Sequence, residues 1–98
     1  MSEEHALKLR ILSPEGLQSE IVCDGVQLLL PDDADGRGGG SLGIRSGHAP
    51  AVMALDAGPV TATRGEETVL RAQVSGGFAS VADNVVTVLS DSVSIETE

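Results

Sequence analysis

The sequence predicts an all-β protein, a small antiparallel β-sandwich or flattened barrel of about eight to ten short strands. Apolar and polar residues alternate with a period of two in several segments, and helical periodicity is nearly absent. Turn-forming Gly, Pro, Asn and Asp residues separate these segments at short intervals. No interval is long enough for the helix that joins two parallel strands, so the sequence excludes a parallel α/β fold.

The first predicted strand shows this alternation, with basic residues between the apolar ones from Leu7 to Ile11. Pro14 and Gly16 indicate the turn that follows, because Pro presets φ and Gly accepts a positive φ. The chain from Leu17 to Leu30 is compatible with strand structure throughout. Within it, Asp24-Gly25 predicts either a hairpin turn or a bulge.

The segment from Pro31 to Ser41 is acidic and rich in glycine, which predicts a flexible loop within a single domain spanning residues 1–98. A chain of this length forms one domain. The further predicted strands are Leu42–Ile44, Ala51–Leu55, Val60–Thr63, Thr68–Val74, Phe78–Val81 and Val85–Leu89.

Composition limits the partners of the protein. Hydrophobic residues make up 41% of the chain and Phe78 is the only aromatic one, so the predicted core is aliphatic. The net charge of −9 argues against nucleic acid, because that affinity comes mostly from Lys and Arg on phosphates. It argues equally against direct binding to an anionic lipid surface.

The cysteine content and the hydropathy pattern favour a soluble cytoplasmic protein. Cys23 is the only cysteine, so no internal disulfide is possible and a reducing compartment is expected. The acidic N-terminal residues lack the apolar run of a signal peptide. No segment approaches the roughly 20 apolar residues that a transmembrane helix needs.

The segment Gly38–Gly43 matches the dinucleotide-binding pattern G-x-G-x-x-G by its letters alone. That pattern binds a pyrophosphate only where it opens a helix. Gly47 and Pro50 follow within two turns and prevent such a helix. We therefore interpret the glycines as part of a loop and expect no bound cofactor.

No pattern of residues predicts a metal or catalytic site. His5, Cys23 and His48 do not have the spacing of metal ligands. No G-x-S-x-G elbow or paired base accompanies the serines. A small hydrolase using Ser75 or His48 is therefore the weakest of the hypotheses, and we expect a protein without enzymatic activity.

The segment from Ser41 to Pro50, SLGIRSGHAP, resembles the Gly-x-Leu-Gly-Ile-x-x-Gly-His-Ala-Pro segment of one family. That family is the ε subunit of F-type ATP synthases, called δ in mitochondria. The resemblance covers the chain from about Leu7 to Asp91 and corresponds to the family's N-terminal β-sandwich. The other segments that match it, in the same order, are Leu7–Pro14, Gly58–Val60, Val74–Phe78 and Asn84–Leu89.

The resemblance implies a central-stalk subunit that has no active site of its own. Its implied partners are the γ subunit and the cytoplasmic loops of the membrane rotor ring, or c-ring. Coupling these two would serve proton-driven or sodium-driven ATP synthesis or hydrolysis. The implied location is the cytoplasmic face of the inner (plasma) membrane, as a peripheral part of the complex.

The resemblance also implies roles for individual residues. Gly40 and Ser41 would face the rotor ring, His48 would lie near the stalk interfaces, and Ser13 would contact γ. The neighbouring residues would have architectural roles: Leu42 and Ile44 in the core, Gly43 and Gly47 in turns, and Pro50 before the next strand.

Three features depart from the family pattern. Ser41 stands where many members have an acidic residue, and the loop from Asp33 to Gly40 is longer than the usual short turn. The chain stops seven residues after Asp91, so we expect no C-terminal helical hairpin. The first two departures keep a second hypothesis open, a free-standing β-sandwich adaptor that binds an unrelated protein.

Overall fold

A computed structural model describes residues 6–32 and 38–96. These residues form ten strands in two five-stranded sheets, and no helix occurs among them, which confirms the predicted β-sandwich. The strands are β1 (Leu7–Ser13), β2 (Gly16–Cys23), β3 (Gly25–Asp32), β4 (Gly38–Arg45), β5 (Ala51–Leu55), β6 (Gly58–Arg64), β7 (Glu67–Val74), β8 (Gly77–Ala82), β9 (Val85–Leu89) and β10 (Val93–Glu96).

The strand order is β2-β1-β9-β8-β5 in the first sheet, which we call sheet A, and β10-β7-β6-β3-β4 in the second, sheet B. Seven of the eight described pairings are antiparallel. The exception is β1 with β9, which run parallel with Lys8 beside Val85 and Leu12 beside Leu89. A parallel pair needs a long connection, and here the other strands supply it.

The core lies between the two sheets and is aliphatic, as the composition predicts. Strand β1 contributes Leu7, Leu9 and Ile11, each at most 1% exposed, while its basic residues point outward. Ile44 is fully buried and Leu42 packs against the same cluster, which confirms their implied role in the core. The other large side chains that are fully buried are Cys23, Val26, Leu28, Val60, Val81, Val86 and Val88.

The strand directions give the sandwich two ends. The Ser13 end contains residues 13–16, 55–58, 74–77 and 89–93. The Asn84 end contains residues 23–25, 45–50, 64–67 and 82–85. Residues that are distant in the sequence therefore meet at each end.

At the Ser13 end the chain crosses three times between the sheets, and serine residues join the β7–β8 and β9–β10 crossings. Ser75, between β7 and β8, donates its backbone N–H toward the Ser90 hydroxyl at 3.2 Å and the Ser92 carbonyl at 3.1 Å. The Ser90 hydroxyl donates to the same Ser92 carbonyl at 3.1 Å. These bonds satisfy the polar groups of Ser90, which is 6% exposed.

Asp24-Gly25 forms neither the hairpin nor the bulge that the sequence predicts. Strand β2 belongs to sheet A and β3 to sheet B, so this dipeptide is a crossing between sheets. Asp24 donates its N–H to the Thr63 carbonyl at 2.8 Å and accepts the Gly65 N–H through Oδ2 at 2.6 Å. These bonds to the β6–β7 turn redirect the chain, and no local residue pattern reveals them.

The predicted loop from Pro31 to Ser41 is shorter than expected. Strand β3 continues to Asp32 and β4 begins at Gly38, with Asp32 paired to Gly38. Backbone hydrogen bonds of a ladder do not depend on side chains, so a glycine-rich segment can extend a strand that a neighbour already supports. Residues 33–37, the rest of this predicted loop, lie outside the described residues.

Gly43 does not lie in the turn that the family resemblance implies. It lies within β4 opposite Gln27 instead of in a turn, whereas Gly47 does occupy a turn with a φ of +85°. Strand β10 is not among the predicted strands, and its half-buried Val93 and Ile95 alternate with the exposed Ser94.

In the described part of the chain, no helix is long and apolar enough to span a membrane.

Candidate docking surface

An apolar row crosses the outer face of sheet A near the Ser13 end. Side chains alternate between the two faces of a strand, so the register decides which outward residues become neighbours. The pairings Leu17 with Leu12, Leu12 with Leu89, Leu89 with Phe78, and Phe78 with Ala54 make this row continuous across all five strands. We call these five residues the apolar row.

Much of the apolar row is open to solvent. Leu17 is 49% exposed, Leu89 53% and Phe78 57%, and Val52 on the same face of β5 is 76% exposed. Isolated exposed apolar residues are common on soluble proteins, whereas contiguous ones indicate an interaction surface. Phe78 adds an aromatic ring, a residue type that is enriched in protein interfaces relative to the rest of the surface.

The middle of the same face is polar and carries both basic residues of β1. Glu20 Oε2 lies 3.7 Å from Lys8 Nζ and 3.4 Å from Arg10 Nε. Exposed ion pairs of this kind contribute little to stability. A polar margin beside an apolar strip is the arrangement found in protein interfaces.

The outer face of sheet B has a different character. Its central row contains Gln27, Thr61, Arg71 and Glu96, with Arg71 Nε 3.4 Å from Glu96 Oε1. All the large hydrophobic residues that are exposed in the described part of the chain lie on sheet A. The candidate docking surface is therefore the outer face of sheet A.

Ser13 lies directly beside the apolar row, at the end of β1. It is half-buried, and its Oγ accepts hydrogen bonds from the Glu15 N–H at 3.2 Å and from Gln18 Nε2 at 2.9 Å. These two hydrogen bonds stabilise the β1–β2 turn.

Gly40 and Ser41 lie on β4, the edge strand of sheet B, toward the Ser13 end, and both are exposed. Gly40 pairs with Leu30 and has a φ of +74°, with open space where a side chain would be. These two residues share an end of the sandwich with Ser13 but belong to the other sheet.

His48 lies at the opposite end, in the turn between β4 and β5, and is half-buried. Its Nδ1 is 2.7 Å from the Ala49 carbonyl oxygen. A carbonyl oxygen only accepts hydrogen bonds, so this geometry assigns a proton to Nδ1, and in the neutral ring Nε2 is then an acceptor. The structure thus separates His48 from Ser13, Gly40 and Ser41.

Sequence motifs do not identify the residues of the apolar row. A signal was present, because the alternation that buries Leu7, Leu9 and Ile11 points even-numbered residues of β1 outward. Leu12 is one of these outward-facing residues, although its side chain is apolar. Which residues of other strands continue the row depends on register, which the sequence does not state.

Cys23 is buried in the core and takes no part in this surface. Burial raises the pKa of its thiol, and the Asp24 carboxylate raises it further, while Arg64 and the Gly25 N–H act in the opposite direction. A neutral, enclosed thiol is a poor nucleophile. Within residues 6–32 and 38–96, no three His, Cys, Asp or Glu residues cluster as a metal site.

Alkylation of Cys23 is expected to be slow in the native protein. Iodoacetamide at pH 7.5 should modify the thiol rapidly only after denaturant unfolds the domain, because the thiolate is the reactive form and the native thiol is enclosed. Mass spectrometry of timed samples measures this. Equal rates with and without denaturant would contradict the buried position.

Taken together, the fold and the surface define a β-sandwich module with a contiguous apolar row on the outer face of one sheet. The chain belongs to a known family, the β-sandwich domain of the ATP synthase delta/epsilon chain, whose family model matches residues 6–96. This confirms the family resemblance of the sequence motifs.

Curated relatives include epsilon chains from algae and bacteria. The chloroplastic ATP synthase epsilon chain of Nephroselmis olivacea is 33% identical over 84 residues, which are 86% of this chain and 57% of the relative. The ATP synthase epsilon chain of Synechococcus elongatus is 37% identical over 84 residues, 86% of this chain and 56% of the relative. The chain therefore spans just over half the length of these relatives.

Two solved structures share the fold. A chain of the Euglena gracilis mitochondrial ATP synthase, in an OSCP/F1/c-ring structure, matches with a TM-score of 0.74 and 19% identity over 94% of this chain and 54% of that one. A chain of the Tetrahymena thermophila central stalk/c-ring structure matches with a TM-score of 0.65 and 14% identity over 89% and 64%. At these identities the likeness shows the fold alone.

Proposed function

We propose that the protein is a non-catalytic central-stalk subunit of an F-type ATP synthase that couples the γ subunit to the membrane rotor ring. The observation that carries the proposal is the apolar row on sheet A, a docking surface in a family whose relatives are named ATP synthase epsilon chains. The origin of both similar structures in assemblies with a c-ring supports it.

The apolar row is the proposed contact with γ. Burying apolar surface is the dominant favourable contribution to most protein–protein association. Leu17, Phe78 and Leu89 each offer half of their surface for this purpose. Ser13 lies at the margin of the contact, and Lys8 and Arg10 line its other side, where acidic or carbonyl groups of γ can pair with them.

Gly40 and Ser41 are the proposed contact with the cytoplasmic loops of the rotor ring. Their edge strand belongs to sheet B, so the ring and γ can bind at the same time without competing for one surface. Through these contacts the protein is held at the cytoplasmic face of the membrane, and rotation driven by H⁺ or Na⁺ passes between ring and γ. His48 contacts the stalk from the Asn84 end.

The test is co-purification with the γ subunit of the same organism, comparing Leu89→Ser with Val22→Ser. Both residues lie on the outer face of sheet A with similar exposure, 53% and 49%, but Val22 lies outside the apolar row. Leu89→Ser is expected to weaken γ binding about tenfold or more, as truncation of a central interface residue does. Val22→Ser is expected to leave the affinity unchanged.

Thermal melts of both variants should stay close to that of the wild type, since both side chains are about half exposed and lie outside the buried core. Equal losses of affinity would contradict docking through the apolar row. No detectable complex of the wild type at micromolar concentration would overturn the proposed function. The chain would then be a β-sandwich adaptor for an unrelated protein.

A further inference from the structure

One long-range hydrogen bond holds the turn that carries His48. The Gly47 N–H donates to Oδ1 of Asn84 at 2.7 Å, although 37 positions separate the two residues in the sequence. The His48 N–H donates to the Arg45 carbonyl at 3.2 Å and closes the turn itself. The Asn84 side chain is thus what fixes this turn to the neighbouring hairpin.

Asn84 is well suited to this position because of its backbone. Asp83 and Asn84 form the two-residue turn between β8 and β9, with φ values of +53° and +64°. Such a turn requires positive φ at both residues, which Asn adopts more readily than most side chains. The Asn84 carbonyl also accepts the Lys8 N–H at 2.9 Å, so the hairpin is anchored to β1 as well.

The orientation of the His48 ring follows from the same turn. With Nδ1–H bonded to the Ala49 carbonyl at 2.7 Å, the ring cannot rotate without losing that bond. In the neutral ring Nε2 is then an acceptor, and none of the hydrogen bonds within the described residues engages it. The bond to Ala49 therefore fixes the direction in which Nε2 points.

We infer that Asn84 is a positioning residue that presents His48 to the stalk, and that His48 Nε2 accepts a hydrogen bond from an N–H or O–H donor of γ. The inference rests on the proposed function for its partner. The positioning itself rests on the bond between Gly47 and Asn84, which can be tested without any partner.

The partner-free test uses Asn84→Gly and Asn84→Asp in the isolated domain. Glycine keeps the positive φ of the hairpin but lacks the acceptor oxygen, whereas aspartate keeps an oxygen at the same place. Amide hydrogen exchange of Gly47, followed by NMR, is expected to become about tenfold faster or more in Asn84→Gly and to stay slow in Asn84→Asp. Unchanged exchange in Asn84→Gly would overturn the positioning role.

The binding test measures affinity for γ in variants of both residues. His48→Asn keeps an N–H near Nδ1 for the Ala49 carbonyl but has no atom in place of Nε2, while His48→Gln extends an acceptor to about that distance. His48→Asn and Asn84→Gly are each expected to weaken binding about threefold to tenfold, and His48→Gln less, in the range of one neutral hydrogen bond.

The double variant Asn84→Gly/His48→Asn is expected to bind no more weakly than His48→Asn alone, because Asn84 acts through His48. Additive losses would show that Asn84 contributes independently and would overturn the inference. So would unchanged affinity in Asn84→Gly when exchange at Gly47 is fast. If the wild type does not bind γ, the proposed function and the named partner fail together, while the exchange result still decides the positioning role.

Discussion

Gly77→Ala is expected to lower the free energy of unfolding by about 2–5 kcal/mol, the sum of a left-handed backbone strain and an overpacked contact. Gly77 begins β8 with a φ of +128°. A Cβ atom at this position would collide with the Leu89 carbonyl oxygen of the adjacent strand and lie 3.1 Å from Ser90 Cα. Both neighbours are backbone, so no side chain can move away.

The matched control is Gly47→Ala, which isolates backbone strain from the collision. Gly47 has a φ of +85°, but no atom lies within 4 Å of the position that its Cβ would take. Alanine there should cost only about 1–2 kcal/mol. Urea titrations followed by far-UV circular dichroism measure both losses, and equal values would contradict close approach as the cause at Gly77.

The second large effect concerns the inner face of sheet A. Leu9→Ala is expected to lower the free energy of unfolding by about 2–5 kcal/mol, because it removes a buried side chain and leaves a cavity. Leu9 is 0% exposed and lies on β1, which is paired on both edges, with Ile21 on one side and Val86 on the other. Neighbouring strands therefore cannot easily collapse into the space.

Leu89→Ala is the control on the opposite face of the same sheet, where the side chain is 53% exposed. It should change stability by no more than about 0.5 kcal/mol, the usual range for surface positions. The same urea titrations measure both variants. A large loss in Leu89→Ala, or a negligible one in Leu9→Ala, would contradict the assignment of inner and outer faces.

Much of the fold could be predicted from the sequence because strand alternation and turn chemistry are local properties. The inward phase of Leu7, Leu9 and Ile11 is visible in the sequence and agrees with the burial pattern of β1. The Asp83-Asn84 pair also marks a turn by composition, and both residues have the positive φ that such a turn needs.

Other features depend on partners that are distant in the sequence. Asp24-Gly25 crosses between sheets because of bonds to Thr63 and Gly65, and Gly38 extends β4 because Asp32 lies opposite. The composition of these segments resembles that of turns and loops, so local patterns place them wrongly. Tertiary pairing decides the conformation in both cases.

The candidate site also combines residues that local motifs identify with residues that only the folded chain brings together. Ser13, Gly40, Ser41 and His48 could be named from motifs, and they remain predictions as partner contacts. The apolar row could not be assembled from the sequence, because it requires the register of four strand pairings. The bond from Gly47 to Asn84 likewise joins two turns that only the folded chain brings together.

The parallel pair of β1 and β9 has a consequence for how the domain is made. Strand β1 lies between β2 and β9, so one of its edges stays open until β9 has been synthesised. Contacts between such distant segments slow folding, since the closure of a long loop must precede them. A nascent chain on the ribosome would therefore hold an incomplete sheet, and its exposed strand edge is where premature association with other chains would begin.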